Sequence, residues 1–447
     1  LRPTLALLPR GNWIRRTWYD FPALLAAGLD RLVDYALGRL ADGHEPRADR
    51  LILTGHSGGG MPAIDALAAR GRTYTHARAT APLTLPSHVS MMTGALPPAH
   101  GVRENGVVFD RRRPTIAARF REAGYRTAAF VGAYVLNRRF GLDEGFETYD
   151  DAVRRDAAMA ERLEAERPGA EVADGALSWL RSYAGAQPTA DRQPFFLWVH
   201  LYDPHAPYTP PATYLERAGG DAYDGEVAYA DAQVGRLVEA LGTAGLSAST
   251  VIAVAGDHGE ALGERGEHTH GMLAYDATLR VPMIVATPGR PAGVEEAPVS
   301  LADLGPSLLH LAGVAGAGEP AAVYSETQYP RRAGWHALSV LSDERWKLIR
   351  SSELELYEVR RDPAEERNVA AAHPGVVQAM AAALQALTAG AAETAAIAPE
   401  AAERLRALGY VSGAGAITSD DPGSPNPARV IAAWTAFEQA LSRLQSG

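Results

Sequence analysis

The sequence predicts an α/β fold, with a mostly parallel central sheet flanked by helices and a small C-terminal antiparallel subdomain. Three observations predict it. The run Val251-Ile-Ala-Val-Ala-Gly256 is short, apolar and rich in β-branched residues, as in a buried parallel strand, and it drops straight into Asp257-His258. Strand-like and helix-like segments alternate from Thr115 to Leu311. Two short strand-like runs, Trp346–Ile349 and Leu354–Val359, follow each other closely enough to pair antiparallel.

Taken in order, Thr115–Ala123 reads as a helix closed by Gly124, and Thr127–Val131 as the next strand. Ala173–Tyr183 is helical, Phe195–His200 a strand, and Glu226–Leu241 a helix leading into the Asp-His strand. Val281–Ala286 is a further strand and Leu301–Leu311 a helix, followed by a helical Ala-rich stretch, Ala370–Leu387. Val411–Pro427 is rich in Gly, Ser, Asp and Pro and reads as a linker, and Ala428–Leu444 as a final helix with Phe437, Ala440 and Leu441 on one face. These segments divide the chain at 1–60, 61–315 and 316–410, with a linker and terminal helix at 411–447.

Chemistry concentrates where strands end. Open α/β sheets bind ligands beyond the carboxyl ends of their strands, which is where Asp257, His258 and His200 fall. A carboxylate beside an imidazole suits Zn²⁺ or a similar divalent ion, although a lone Asp-His-Gly is also an ordinary strand-to-loop turn. Upstream, Thr84-Leu-Pro86-Ser87-His88 precedes the apolar stretch Val89–Met92. Pro86 and Ser87 mark a helix start, which sets the Thr84 hydroxyl near backbone N–H groups that favour an anion.

These pieces together resemble the sulfatases of the alkaline phosphatase superfamily, over roughly residues 62–410. The matching stretches are Ile64–Gly71, Thr84–His88 with Thr93-Gly94, His100-Gly-Val-Arg103, His200-Leu-Tyr-Asp203-Pro-His205, Tyr223–Tyr229, Gly256–Gly263, Thr269-His270, Tyr275-Asp276, Arg280-Val-Pro282, Glu355-Leu-Tyr357 and Asp362-Pro363. The resemblance implies a metal-dependent hydrolase of sulfate or phosphate esters. Thr84 falls where sulfatases carry the Cys or Ser that is oxidised to formylglycine. Threonine cannot give that aldehyde, because its β-carbon bears a methyl group. Phosphodiesterases of the superfamily use an unmodified threonine, so attack on a phosphomonoester or phosphodiester is favoured.

By the same resemblance Thr84, His200 and His270 are catalytic, and Asp257, His258, Thr84 and Asp203 hold one or two divalent ions (Zn, Ca, Mg or Mn). His88, Arg103, Asn105 and His205 contact substrate. His88 stands where sulfatases have an arginine, and Asn105-Gly106 also reads as a turn. Thirteen histidines are present, and His268 is taken as a bystander.

The N-terminal stretch departs from this pattern. Sulfatases open on a strand ending in one or two aspartates, and none is found here. Instead Leu51-Ile-Leu-Thr54 leads into Gly55-His56-Ser57-Gly-Gly59, similar to the nucleophile elbow of α/β-hydrolases, after a helix-like run from Phe21 to Leu40. Residues 1–60 are then either a hydrolase-like fragment, or Leu51–Thr54 stands in for the missing strand and brings His56 or Ser57 to its metal end. Two alternatives to the leading function follow: a serine hydrolase using Ser57, or a catalytically impaired relative that binds metal weakly for want of carboxylates. The terminal helix resembles the start of a tetratricopeptide repeat.

Composition fits a large enzyme. The 447 residues are 47% hydrophobic and 21% charged, and 43 basic against 53 acidic residues leave a net charge of −10, which argues against a general nucleic-acid binder. The expected partner is a small-molecule, glycan or lipid ester, and the oligomeric state is left open. Cysteine is absent, which removes disulfides and thiolate ligands. No apolar run reaches the ~20 residues of a membrane span. The family expectation is a periplasmic or secreted protein, with a cytoplasmic location left open.

Overall fold

The computed structural model describes residues 61–153, 167–186, 193–316, 321–389 and 423–445. The N-terminal elbow at Gly55–Gly59 and the strand expected at Leu51–Thr54 lie outside the described residues, as do the helix-like run at 21–40 and most of the 411–427 linker.

Two sheets carry the core. The first runs β5 (Ile252–Ala255), β6 (Arg280–Ala286), β1 (Arg72–Arg78), β7 (Gly293–Glu295), with β8 (Val299–Ser300) also on β1. β6 is antiparallel to both neighbours, so β1 and β5 run the same way, and β7 and β8 join β1 in parallel. The second is all parallel: β3 (Thr148–Asp150), β2 (Arg126–Val131), β4 (Phe195–His200). A separate four-stranded antiparallel sheet follows, β12 (Leu354–Glu358), β11 (Trp346–Arg350), β10 (Leu338–Ser342), β9 (Tyr324–Thr327). Only its last two strands in sequence were legible in the sequence.

Helices Gly169–Ala186 and Ala222–Thr243 cover one face, through Leu180, Leu241 and Leu237 against Phe195, Leu197 and Ile252. Helices Thr84–Thr93 and Ile116–Glu122 share an apolar core on the other, with Val89, Met92 and Phe120 beside Phe196 and Trp198. The small sheet is tied to the body by a buried ionic cluster. Asp276 pairs with Arg78 at 2.9 Å and Lys347 at 2.8 Å, and Lys347 also meets Glu365 at 2.7 Å. Such a cluster costs desolvation but leaves no charge without a partner.

The helix Pro427–Gln445 packs on the body through Ile431 and Trp434, whose indole meets Tyr329 edge-on. Of the face expected to pack, Phe437, Ala440 and Leu441, Phe437 is instead 47% exposed. Among the described residues, no helix is long and apolar enough to cross a membrane.

Candidate active site

The helix Thr84–Thr93 begins at Thr84 itself, after extended Leu83, and not behind Pro86 and Ser87 as the capping pattern suggested. Pro86 falls in its first turn, where no intrahelical N–H is needed. The Ser87 hydroxyl is not a cap. It donates to the Asp257 backbone carbonyl at 2.6 Å, stitching this helix to the loop after β5. The Asn105 amide oxygen accepts the Leu85 N–H at 2.9 Å, so Asn105 holds the turn that carries Thr84. Gly94 closes the helix in the left-handed region (φ 71°), which favours glycine.

β5 ends at Ala255, and the next residues turn sharply beneath the Thr84 helix. Gly259 makes that turn feasible, because a Cβ there would lie 2.3 Å from the Ala277 carbonyl oxygen. His258 Nδ1 donates to the Gly259 carbonyl at 3.0 Å, which leaves its Nε2 as a lone pair. That nitrogen lies 3.3 Å from the Thr84 hydroxyl and 3.6 Å from Asp257 Oδ2.

Two clusters share this floor. His88, His200 and Asp257 each offer a ligand atom, all within 4.8 Å of one another. His88 Nδ1 donates to the Thr84 carbonyl at 2.8 Å and lies 3.5 Å from Asp257 Oδ2. His200 projects from the end of β4 with its ring 4.9 Å from that of His88, and its buried Nδ1 has no hydrogen-bond partner. An orphaned imidazole nitrogen beside a carboxylate is what a divalent cation would satisfy, and two imidazoles with one carboxylate suit Zn²⁺ or its neighbours. The second cluster is His258, Glu260 and His270, where His270 Nδ1 meets Glu260 Oε2 at 2.8 Å and the two imidazoles stand 4.2 Å apart.

Electrostatics separates the histidines. Burial pushes His200 down to about 3, with His88 adding to the effect. Burial likewise brings His205 to about 3, and lowers His258 despite Asp257 beside it. These three are neutral near pH 7, as cation ligands must be. His270 goes the other way: burial would lower it, but Glu260 outweighs burial and raises it. Asp257 is held well below the carboxylate range, because His258, His88 and His200 together overcome its burial.

The remaining candidates are placed less directly. Arg103 is bound bidentately by Glu326, so its charge is already matched. Asp203, expected at the metal, accepts the Gly169 N–H at 2.9 Å through Oδ1 and belongs to neither ligand cluster among the described residues, while its buried Oδ2 has no hydrogen-bond partner. His205 stacks on Tyr202 and meets His270 edge-on at 5.0 Å. His268 is exposed. Sequence reasoning assigned no role to Glu260, although it lies two residues from His258; it also accepts from Tyr208 at 2.9 Å. His88, expected against substrate, sits in the ligand cluster instead.

A family model described as "Sulfatase" matches residues 45–314. The chain is similar to "Uncharacterized sulfatase YidJ" of Escherichia coli (strain K12), 26% identical over 312 residues, which are 56% of this chain and 62% of that protein. It is also similar to "Choline-sulfatase" of Rhizobium meliloti (strain 1021), 25% identical over 401 residues, 69% of this chain and 77% of that one. The solved phosphonate monoester hydrolase of Agrobacterium radiobacter shares the fold, with a TM-score of 0.60 at 22% identity over 77% of this chain and 94% of that chain. The chain thus spans less than two thirds of the first of these curated relatives.

Proposed function

The chain belongs to the sulfatase family, and we propose that it is a divalent-metal-dependent hydrolase of sulfate or phosphorus esters, with Thr84 as the nucleophile. The observation that carries this reading is the Thr84 hydroxyl 3.3 Å from the His258 Nε2 lone pair, at the N-terminus of a ten-residue helix. Helix N-termini stabilise anionic oxygens, so a sulfuryl or phosphoryl group has a seat beside the hydroxyl.

His88, His200 and Asp257 are the residues that would hold the cation, with His258 on its Thr84 side. When bound, such an ion supplies positive charge that lowers the pKa of a nearby hydroxyl and offsets charge on the ester oxygens. The rest falls to the chain. Thr84 Oγ1 attacks sulfur or phosphorus and gives its proton to His258 Nε2, while the bond to the leaving alcohol breaks. His270, whose proton affinity is raised by the Glu260 carboxylate against it, gives a proton to the departing oxygen. Water then attacks the sulfur or phosphorus of the Thr84 ester. The bond to Oγ1 breaks, Thr84 recovers its proton from His258, the water's proton reprotonates His270, and inorganic sulfate or phosphate leaves, or a phosphate monoester when the substrate is a diester.

Because Thr84 lacks the second hydroxyl of a hydrated aldehyde, its release requires attack at the central atom, which favours phosphomonoesters and phosphodiesters over sulfates. The names of the curated relatives favour sulfate esters. A panel of nitrophenyl phosphates, phosphodiesters and sulfates, run beside metal analysis of the purified protein, decides between them. A metal-free protein inert on every ester would refute the reading. In a two-ion variant His258, Glu260 and His270 would hold a second ion in place of acting as base and acid, and the same analysis would give two ions per chain.

A further inference from the structure

We propose that the helix Pro427–Gln445 positions the leaving-group side of the site, with Glu438 and Thr435 holding the loop that carries His270. This rests on the reading of His270 as the residue that faces the leaving group. The helix lies outside residues 45–314, the stretch that the family model matches.

The loop needs an outside hold. Glu260 and His270 face each other across its base, 2.8 Å apart. Two backbone bonds tie its arms together, from the Ala261 N–H to the Thr269 carbonyl and from the Gly263 N–H to the Glu267 carbonyl, both at 2.8 Å. Its tip turns through Arg265 at φ 54°, in the left-handed region where a residue with a side chain is strained. Such a conformation persists only where the surroundings over-determine it. On one side the Arg265 guanidinium lies 4.6 Å from the centre of the Tyr275 ring. The helix supplies the other side.

Ile431, Thr435 and Glu438 are spaced to share one face of that helix. Thr435 donates to the Gly266 carbonyl at 2.7 Å, beside the strained tip. Thr269, the residue before His270, donates to Glu438 Oε1 at 2.9 Å. Ile431 closes on Gly266 so tightly that a Cβ there would lie 3.2 Å from its Cγ2. Trp434 packs on Tyr329, which in turn abuts Gly271, the residue after His270. The start of the helix is fixed to the small sheet. Asn426 accepts the Ala428 N–H at 2.9 Å and donates to Glu355 at 3.2 Å, and Arg429 pairs with Glu353 at 2.9 Å. The helix is thus anchored at β12 and grips the loop on both flanks of His270. Without that grip the imidazole is free to drift from Glu260, and a misplacement of about 1 Å in an acting group costs on the order of 10²-fold in rate. Glu438 acts through Thr269, which makes it a positioning residue.

A double-mutant cycle in the full-length chain tests this. Glu438→Ala and Thr269→Val each remove one end of the same hydrogen bond. Each should lower kcat on esters of poorly acidic alcohols by roughly 10- to 100-fold, with KM within about twofold of wild type. The combined variant should lose no more than either alone. Glu438→Gln should recover the wild-type kcat to within about threefold, since its amide oxygen still accepts the Thr269 hydroxyl. Hydrogen exchange at Ala261 and Gly263 should speed up in Glu438→Ala and return to the wild-type rate in Glu438→Gln, a readout that needs no substrate. Unchanged kcat in Glu438→Ala, losses that add in the combined variant, or equal exchange in Glu438→Ala and wild type would each overturn the proposal. Wild-type protein inert on every ester would instead fail the functional reading, and the exchange comparison would still decide whether the helix holds the loop.

Discussion

The Thr84 hydroxyl and the His258 imidazole, 174 residues apart in sequence, stand 3.3 Å from each other at the meeting of a helix N-terminus and a strand C-terminus. A donor at a helix start and an acceptor past a strand end meet only when the sheet edge faces the helix. Ser87 secures this by bonding to the Asp257 backbone.

Thr84→Ala should therefore lower kcat by a factor on the order of 10³ or more, with little change in thermal stability, since the side chain is small. Thr84→Ser should keep measurable activity, because the hydroxyl survives. Steady-state kinetics on a nitrophenyl ester checks both, and wild-type-like turnover by Thr84→Ala would contradict the assignment.

Glu260→Gln should act through His270. The amide no longer favours the imidazolium, so proton delivery to the leaving group weakens by roughly 10²-fold. The loss should be large for esters of poorly acidic alcohols and small for nitrophenyl esters, whose leaving groups need no proton. Equal losses across a leaving-group series would remove His270 as the acid.

Asp257→Asn and His200→Ala should each reduce bound divalent ion measured by elemental analysis, whereas Asp203→Asn should not, because Asp203 serves the Gly169 helix start. Reduced metal in Asp203→Asn alone would point to a different ligand set.

Glu267 gives a pH prediction independent of catalysis. Burial raises its pKa to about 8, even though it accepts the N–H groups of Met272 and Leu273. A carboxyl whose folded pKa exceeds its unfolded value near ~4.3 contributes stability in full below that value, and loses it as pH rises through about 8. Glu267→Gln should therefore flatten the fall in Tm between pH 5 and 9, by several degrees at the alkaline end. A parallel fall in both proteins would contradict this.

At the centre of the buried cluster, Asp276→Ala would leave Arg78 and Lys347 short of an anion. It should cost roughly 3–5 kcal/mol in denaturant unfolding. A loss under 1 kcal/mol would mean that the cluster binds water or rearranges.

How far the sequence spoke depended on how local each signal was. Strand and helix periodicity located β2, β4, β5 and β6, because each is a continuous apolar run. The helix start at Thr84 was placed too late, because a proline and a serine mimic a cap that Asn105 supplies from twenty residues away. Asp203 and Arg103 carry the right chemistry but are claimed by Gly169 and Glu326, partners that only the fold reveals. Glu260 was passed over because a carboxylate two residues from His258 reads as surface charge until His270 is seen against it.

The covalent step tests the central claim most directly. Enzyme mixed with a nitrophenyl phosphate or sulfate, quenched in acid within the turnover time and mapped by mass spectrometry, should carry a phosphoryl or sulfuryl group on Thr84. Steady turnover with Thr84 unmodified, or the adduct on another side chain, would contradict the account.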